Sequence, residues 1–223
     1  MGHQNTVPDE TVQVYDEELP YESPIFRNKW VVENNGGELC CTLPILPEVH
    51  TTVHLLQSVS KIYKDAPCLG QRQLLPNGEY GDYKWITYHE LGQQVENVAY
   101  GFYFLGLRPQ QHVCICLQNC IQWQVSFFAA QMANLIPIPV SVALRMNEII
   151  RFAQHADCDA IILHRSFLPE ISPHLFQIST LRIVIIVGYT QEDPKLIYNS
   201  SNTQSISIID FHTLLDPSII QSI

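Results

Sequence analysis

Charge is scarce in this sequence, and positive charge most of all: 12 Lys and Arg stand against 22 Asp and Glu, a formal charge of −10. Gripping nucleic-acid phosphates takes clustered cations, so a thin scatter of them argues against a DNA or RNA partner. The same scatter denies the chain a basic amphipathic helix of the kind that holds anionic lipid. Long apolar runs are missing too. The longest, Arg182-Ile-Val-Ile-Ile-Val-Gly188, is far short of the roughly 20 residues a membrane-spanning helix needs, so any membrane association is expected to be peripheral. Polar and acidic residues fill the start of the chain where a secretory leader would be apolar. An odd number of cysteines, 7, then points to reduced thiols and an intracellular setting on the cytosolic side.

Motifs that carry chemistry are as sparse as the charge. There is no Gly-x-Gly-x-x-Gly and no Gly-x-x-x-x-Gly-Lys-Ser/Thr, the loops whose backbone N–H groups cradle phosphates. No Ser or Cys stands on a glycine-flanked elbow, so a nucleophile has no candidate. Gly188 follows an apolar run where a phosphate loop could begin, but Glu192 and Asp193 come next, and their carboxylates are expected to repel phosphate. His50 and His54 share a helical spacing without a third ligand, and Cys114 and Cys116 alternate without a CxxC partner; a structural role is expected for all of them. Asp157 and Asp159 flank Cys158 and read as turn residues rather than an acid/base pair. Two short modification patterns, Met1-Gly-His-Gln-Asn-Thr6 for myristoylation and Asn199-Ser-Ser for glycosylation, are too common to weigh. The expected site inventory is therefore empty: no catalytic, cofactor-binding or metal-ligating residue.

What is present is a hydrophobic, periodic chain. Apolar residues make up 46% and charged ones 15%, which promises a real core. Residues 1–45 differ from the rest: acids and prolines over 8–24 read as an extended acidic arm, ending in the bulkier Pro24-Ile-Phe-Arg-Asn-Lys-Trp30. From residue 46 onward the pattern is regular. Thr51 or Thr52 caps a helix bearing Val53, Leu56, Val59 and Tyr63, stopped by Asp65-Ala-Pro67. Asn77-Gly78 marks a tight turn between two short strands. Thr87-Tyr-His-Glu90 is a capping box, and Gly106 sits where a helix C-terminus wants a left-handed residue. His112–Leu117 reads as a buried strand, Asn119 as the cap of the next helix, and Leu135–Val140 as a strand whose prolines favour an edge. A helix over 146–156, strands at 160–163, 183–187 and 205–209, and an apolar Phe211, Leu214 and Leu215 complete the series. Wholly apolar strands alternating with helices predict an α/β fold: a partial doubly wound sheet, mostly parallel, with helices on both faces. Helices 87–105 and 119–134 are expected to be its crossovers.

In order, these segments resemble the start of a long-chain fatty acyl-CoA synthetase of the adenylate-forming superfamily. Pro24-Ile-Phe-Arg-Asn28 is similar to a phrase in the N-terminal arm of that branch. Trp85-Ile-Thr-Tyr-His-Glu-Leu91 resembles its Trp-x-Ser/Thr-Tyr-x-Glu-x motif, and Gly101-Phe-Tyr-Phe-Leu-Gly-Leu107 the end of the helix that follows. His112-Val-Cys-Ile-Cys-Leu-Gln-Asn119 through Trp123, and the run from Ala129 to Asp157, resemble the next two phrases. The order spans about residues 20–215. Departures are clear: Asn134 replaces a usual glycine, Gln111-His112 a usual Asp-Arg, and Pro139-Val-Ser-Val-Ala-Leu-Arg145 a usual Pro-Leu-Tyr-x-Thr-Leu-Gly.

The resemblance implies that residues 46–223 form an incomplete N-terminal subdomain of an AMP-binding synthetase. The full-length family joins a fatty acid to AMP using ATP and Mg²⁺, then passes the acyl group to CoA. Its phosphate-gripping loop and mobile lid are expected beyond residue 223, so this chain is expected to bind none of these cofactors and to be inactive alone. Its implied partners are the C-terminal remainder of the synthetase and a fatty acid, at the endoplasmic reticulum or another organelle membrane. The alternative is a non-catalytic interaction or lipid-associated module that keeps the fold without the chemistry.

Overall fold

A computed structural model describes residues 11–13, 26–34, 46, 48–75, 77–198 and 205–216. Most of the acidic arm, including 14–25, and the Asn199 pattern lie outside the described residues. Chain contacts divide the molecule into Met1–Leu55 and Leu56–Ile223. In the first unit, β1 (Thr11–Gln13) pairs antiparallel with β2 (Phe26–Asn28), and α1 (Lys29–Asn34) follows directly. Helix α2 (Thr52–Ile62) straddles the division, and Thr51 is its cap: the Oγ1 accepts from the His54 N–H at 3.0 Å. Leu56 is buried and Val59 packs on the core, but Tyr63 falls past the helix end and is exposed.

The second unit opens with a hairpin, β3 (Pro67–Leu74) against β4 (Tyr80–Thr87), around the positive-φ Gly78. Thr87 then caps α3 (Tyr88–Phe104) with both halves of its capping box in place. The rest alternates: β5 (His112–Cys116), α4 (Ile121–Met132), β6 (Ile136–Pro139), α5 (Met146–His155), β7 (Ala160–His164), α6 (Leu168–Ile171), β8 (Ile183–Val187), β9 (Leu196–Tyr198), β10 (Ser205–Asp210) and α7 (Phe211–Leu215). The sheet is six-stranded in the order β6-β5-β7-β8-β10-β9, parallel except where β9 meets β10. Alternate strand residues feed two cores. Val113, Ile115, Ile162 and Ile185 pack with α3, α4 and α7, while Cys114, Ile161, Leu163 and Val184 pack with α5 and α6. The α/β expectation of a mostly parallel sheet covered on both faces is met.

Some expectations need correcting. Among the described residues strand β4 pairs only with β3, so α3 leads from the hairpin into the sheet and is not a crossover within it. The N-cap of α4 is Cys120 rather than Asn119. Strand β9 and the short helical turns over 165–177 carry no pattern long enough to read from sequence.

Helices α3, α4 and α5 end alike. The N–H of Leu107 reaches Phe102 O, that of Leu135 reaches Ala130 O, and that of Cys158 reaches Ala153 O. Each is the long bond of a Schellman motif, whose pivot must adopt positive φ. The pivots are Gly106 (φ 84), Asn134 (φ 56) and Asp157 (φ 47). Asn134 thus makes the left-handed turn without glycine, since its short amide tolerates that region. Asp157 is the costly pivot, a carboxylate at the negative end of α5. Asp157→Gly is expected to stabilise the protein by about 1 kcal/mol, a rise of roughly 2–4 °C in Tm by thermal melting.

The core also makes a pH prediction. Burial pushes the Cys116 thiol from 9.0 up to about 11. Hydrogen bonding to Cys158, with burial, raises Cys114 as well. An acid with a raised folded pKa holds its proton more tightly when folded. Its contribution is complete below about pH 9 and is lost as pH climbs toward 11. Urea midpoints should fall steadily across that window, and Cys116→Ser should flatten the decline.

Candidate functional site

Parallel sheets place ligands outside the carboxyl ends of their strands, where the chain reverses its direction of travel along the sheet. Here that point lies between β5 and β7. The chain leaves β5 for β6 on one side, then returns past β5 to β7 and β8 on the other. A cleft of about 770 Å³ opens there. Its floor includes Leu117 after β5 and Val187 at the end of β8, and the β3–β4 hairpin forms one wall through Arg72, Tyr80 and Tyr83.

Local bonding holds each wall. The Gln71 side-chain oxygen accepts from the Ile121 N–H at 3.1 Å, fastening the hairpin to the first turn of α4. The neighbouring Cys120 thiol is pushed up by burial, which the N–H groups of Trp123 and Gln122 partly oppose. Arg72 is folded onto its own hairpin, Nε donating to Gly81 O at 2.9 Å and Nη2 to Tyr80 O at 2.6 Å. Opposite, His164 closes the turn after β7: its Nδ1 accepts from the Ser166 N–H at 3.3 Å and lies 2.9 Å from Ser166 Oγ. Gly188 (φ 78) passes so close that a Cβ there would sit 3.3 Å from His164 Nε2. The glycine is needed for both its backbone and its smallness.

The acids after Gly188 are engaged by their neighbours. Asp193 takes bonds from Arg165 Nε at 2.8 Å and from the Thr190 N–H at 2.7 Å. Burial raises its carboxyl, but the Arg165 and Thr190 bonds outweigh that and hold it below the usual carboxylate range. Glu192 lies 3.9 Å from the same guanidinium. The pair closes the β8–β9 connection. At the amino ends of the strands, Asp159 is no mere turn residue: Gln111 Nε2 donates to it at 2.7 Å, the His112 N–H at 3.3 Å and Arg182 Nη2 at 3.4 Å.

Among the described residues no group of three or more His, Cys, Asp and Glu could hold a metal, and no helix is long and apolar enough to cross a membrane. A triphosphate needs several backbone donors and a lysine held over it. The loops at the carboxyl rim, 117–120, 140–145, 164–167 and 188–195, carry one glycine, Gly188, already committed against His164, and one lysine, Lys195. Arg72, Gln71 and His164 were not singled out from the sequence. The available signal was the polar Gln71-Arg-Gln73 interrupting a hairpin strand, with Tyr80 and Tyr83 facing it across the turn.

An open, doubly wound sheet with its cleft at the reversal point, entered through a separate hairpin and a capped helix, is the architecture of the adenylate-forming ligases. The crystal structure of the anthranilate CoA ligase AuaEII with anthranoyl-AMP superposes at a TM-score of 0.59 and 16% identity, over 74% of this chain and 27% of that one. Residues 57–214 match the family model of the AMP-binding enzymes, and the chain belongs to that family. It is similar to fatty acyl-CoA synthetase A of Dictyostelium discoideum, 31% identical over 109 residues, 48% of this chain and 16% of that protein. It is also similar to long chain acyl-CoA synthetase 1 of Arabidopsis thaliana, 24% identical over 194 residues, 86% of this chain and 28% of that protein. The chain therefore spans well under a third of the length of either relative.

Proposed function

We propose that this chain is the N-terminal part of a long-chain fatty acid–CoA ligase, which activates its substrate as an acyl-adenylate. The observation that carries the reading is the family match over 57–214 together with relatives named as fatty acyl and long chain acyl-CoA synthetases. Within such an enzyme, residues 56–223 supply a parallel sheet and a cleft at its reversal point. ATP and Mg²⁺ would supply the adenylyl group and its charge neutralisation, and CoA the accepting thiol. Positioning of phosphates is the main source of rate in such transfers. With one glycine and one lysine in the rim loops, that positioning falls to residues outside 1–223, and this chain alone is inactive. The acidic arm of 1–45 and the incomplete subdomain of 46–223 are parts of that assembly.

Hydroxamate trapping tests both halves of the reading. The purified 223-residue chain with ATP, Mg²⁺ and palmitate should yield no palmitoyl hydroxamate. A chimera carrying residues 57–214 in place of the matching segment of the Dictyostelium synthetase should yield it. Product from the chain alone would refute the division of labour, and a folded but inactive chimera would refute the ligase assignment.

A further inference from the structure

The outer face of α3 departs from the pattern of a surface helix. Its inner residues Leu91, Val95, Val98 and Phe102 are buried against the sheet, α4 and α7. The face turned to solvent should then be polar. Its first half is, with Gln93 and Glu96 exposed. Its second half instead shows Tyr100, Tyr103 and Phe104, which are 63%, 61% and 55% exposed. Arg108 completes the patch. Its guanidinium lies 4.9 Å from the Tyr103 ring centroid, and Nη1 donates to Tyr103 O at 3.1 Å and to Leu107 O at 3.0 Å. Among the described residues neither Arg108 nor Glu96 has an ion-pair partner. Aromatic residues and arginine are what the cores of protein interfaces concentrate.

We propose that a second copy of this chain covers the face, α3 packing antiparallel on α3 about a two-fold axis at Tyr100. The patch is complementary to itself in that arrangement. Glu96 precedes Tyr103 by seven positions, two helical turns or about 10 Å, with Tyr100 between them on the same face. Each Glu96 therefore arrives where the other copy holds the Arg108 guanidinium against Tyr103, and Tyr100 meets its own counterpart. Two charges that lack partners in one copy find them in the other, twice over. At roughly 200 Å² per aromatic side chain, the three rings present about 350 Å² per copy. With Gln93, Glu96 and Arg108 around them, pairing removes on the order of 1,000 Å² in total, the lower end for a specific interface. Copies of formal charge −10 also repel at long range, which holds the pair to modest, micromolar affinity. The two-fold symmetry closes the assembly at a dimer. None of this depends on the ligase reading.

Sedimentation velocity of the 223-residue chain across the micromolar range provides the test. The parent should pass from monomer to dimer as its concentration rises and go no further. Glu96→Arg sets two arginines together at each contact, and Arg108→Glu two glutamates. Either variant alone should associate about tenfold or more weakly than the parent. An equimolar mixture of the two places opposite charges together at both contacts and should recover the parent's affinity. Tyr100→Ser leaves the charges in place, should also weaken the dimer about tenfold or more, and serves if Arg108→Glu unfolds by circular dichroism. Arg151→Glu, on α5 across the sheet, should dimerise as the parent does. A mixture no tighter than its components, or a Tyr100→Ser form that dimerises like the parent, would overturn the proposal. So would a parent that associates beyond a dimer, or one that stays monomeric throughout, which would give the face to a different polypeptide.

Discussion

Phe102→Ala is expected to cost about 3–5 kcal/mol, enough to unfold much of the population of a protein of ordinary stability. Phe102 is fully buried on the inner face of α3, in the core that also holds Val98, Leu107, Ile115 and Phe211. Two constraints keep that core from collapsing into the space left behind. The Leu107 N–H is bonded to the carbonyl of Phe102 itself, so the helix end cannot slide. Beside it, Gly101 already lets Leu214 so close that a Cβ there would be 2.8 Å from Leu214 Cδ2. Phe104 is two positions away and 55% exposed, so Phe104→Ala should fall within about 0.5 kcal/mol of the parent. Urea denaturation of both variants gives the comparison, and equal midpoints would contradict the packing described.

Asp159→Ala is expected to be the second most damaging change, at about 2–3 kcal/mol by the same measurement. Its carboxylate gathers Gln111 Nε2, the His112 N–H and Arg182 Nη2, and its side chain is only 15% exposed. Its backbone takes part as well, with its N–H donating to His112 O and its carbonyl accepting from Arg182 N–H. One residue, just before β7, thus ties Gln111 and the first residue of β5 to the residue before β8. Truncation leaves a half-buried amide and a backbone N–H without their acceptor, whereas Asp159→Asn keeps an oxygen and should cost less than half as much. If Ala and Asn are equally destabilising, the ionic contact with Arg182 is the larger part.

The importance of Asp159 was hidden in the sequence for a definable reason. Beside Asp157 and Cys158 it has the composition of a turn, and a turn it is. Its other partners are 48 and 23 positions away, beyond the reach of any local pattern. Periodic features were legible: the capping box of α3, the apolar strands and the proline edge depend on neighbours within a turn or two. The Asn77-Gly78 hairpin was legible too, but not that it stands apart from the main sheet, since no local pattern says whether the helix after a hairpin is a crossover. Strand β9 is three residues with both ends exposed, too short to alternate visibly. Arg72 shows the same limit. A lone arginine in a hairpin is unremarkable until its two carbonyl partners, eight and nine positions on, are seen to fix its plane at the rim of a cleft.

The prolines of β6 determine how this sheet can grow. The N–H groups of Ile136 and Val140 point to β5, bonding Gln111 O and Ile115 O, so the intervening Pro137 and Pro139 face the open side. On that border the donors a joining strand would need are replaced by ring carbons. Self-association through this border is blocked, and a templated stack of copies cannot start there. Any strand added by another polypeptide must arrive at the opposite border, beside β9.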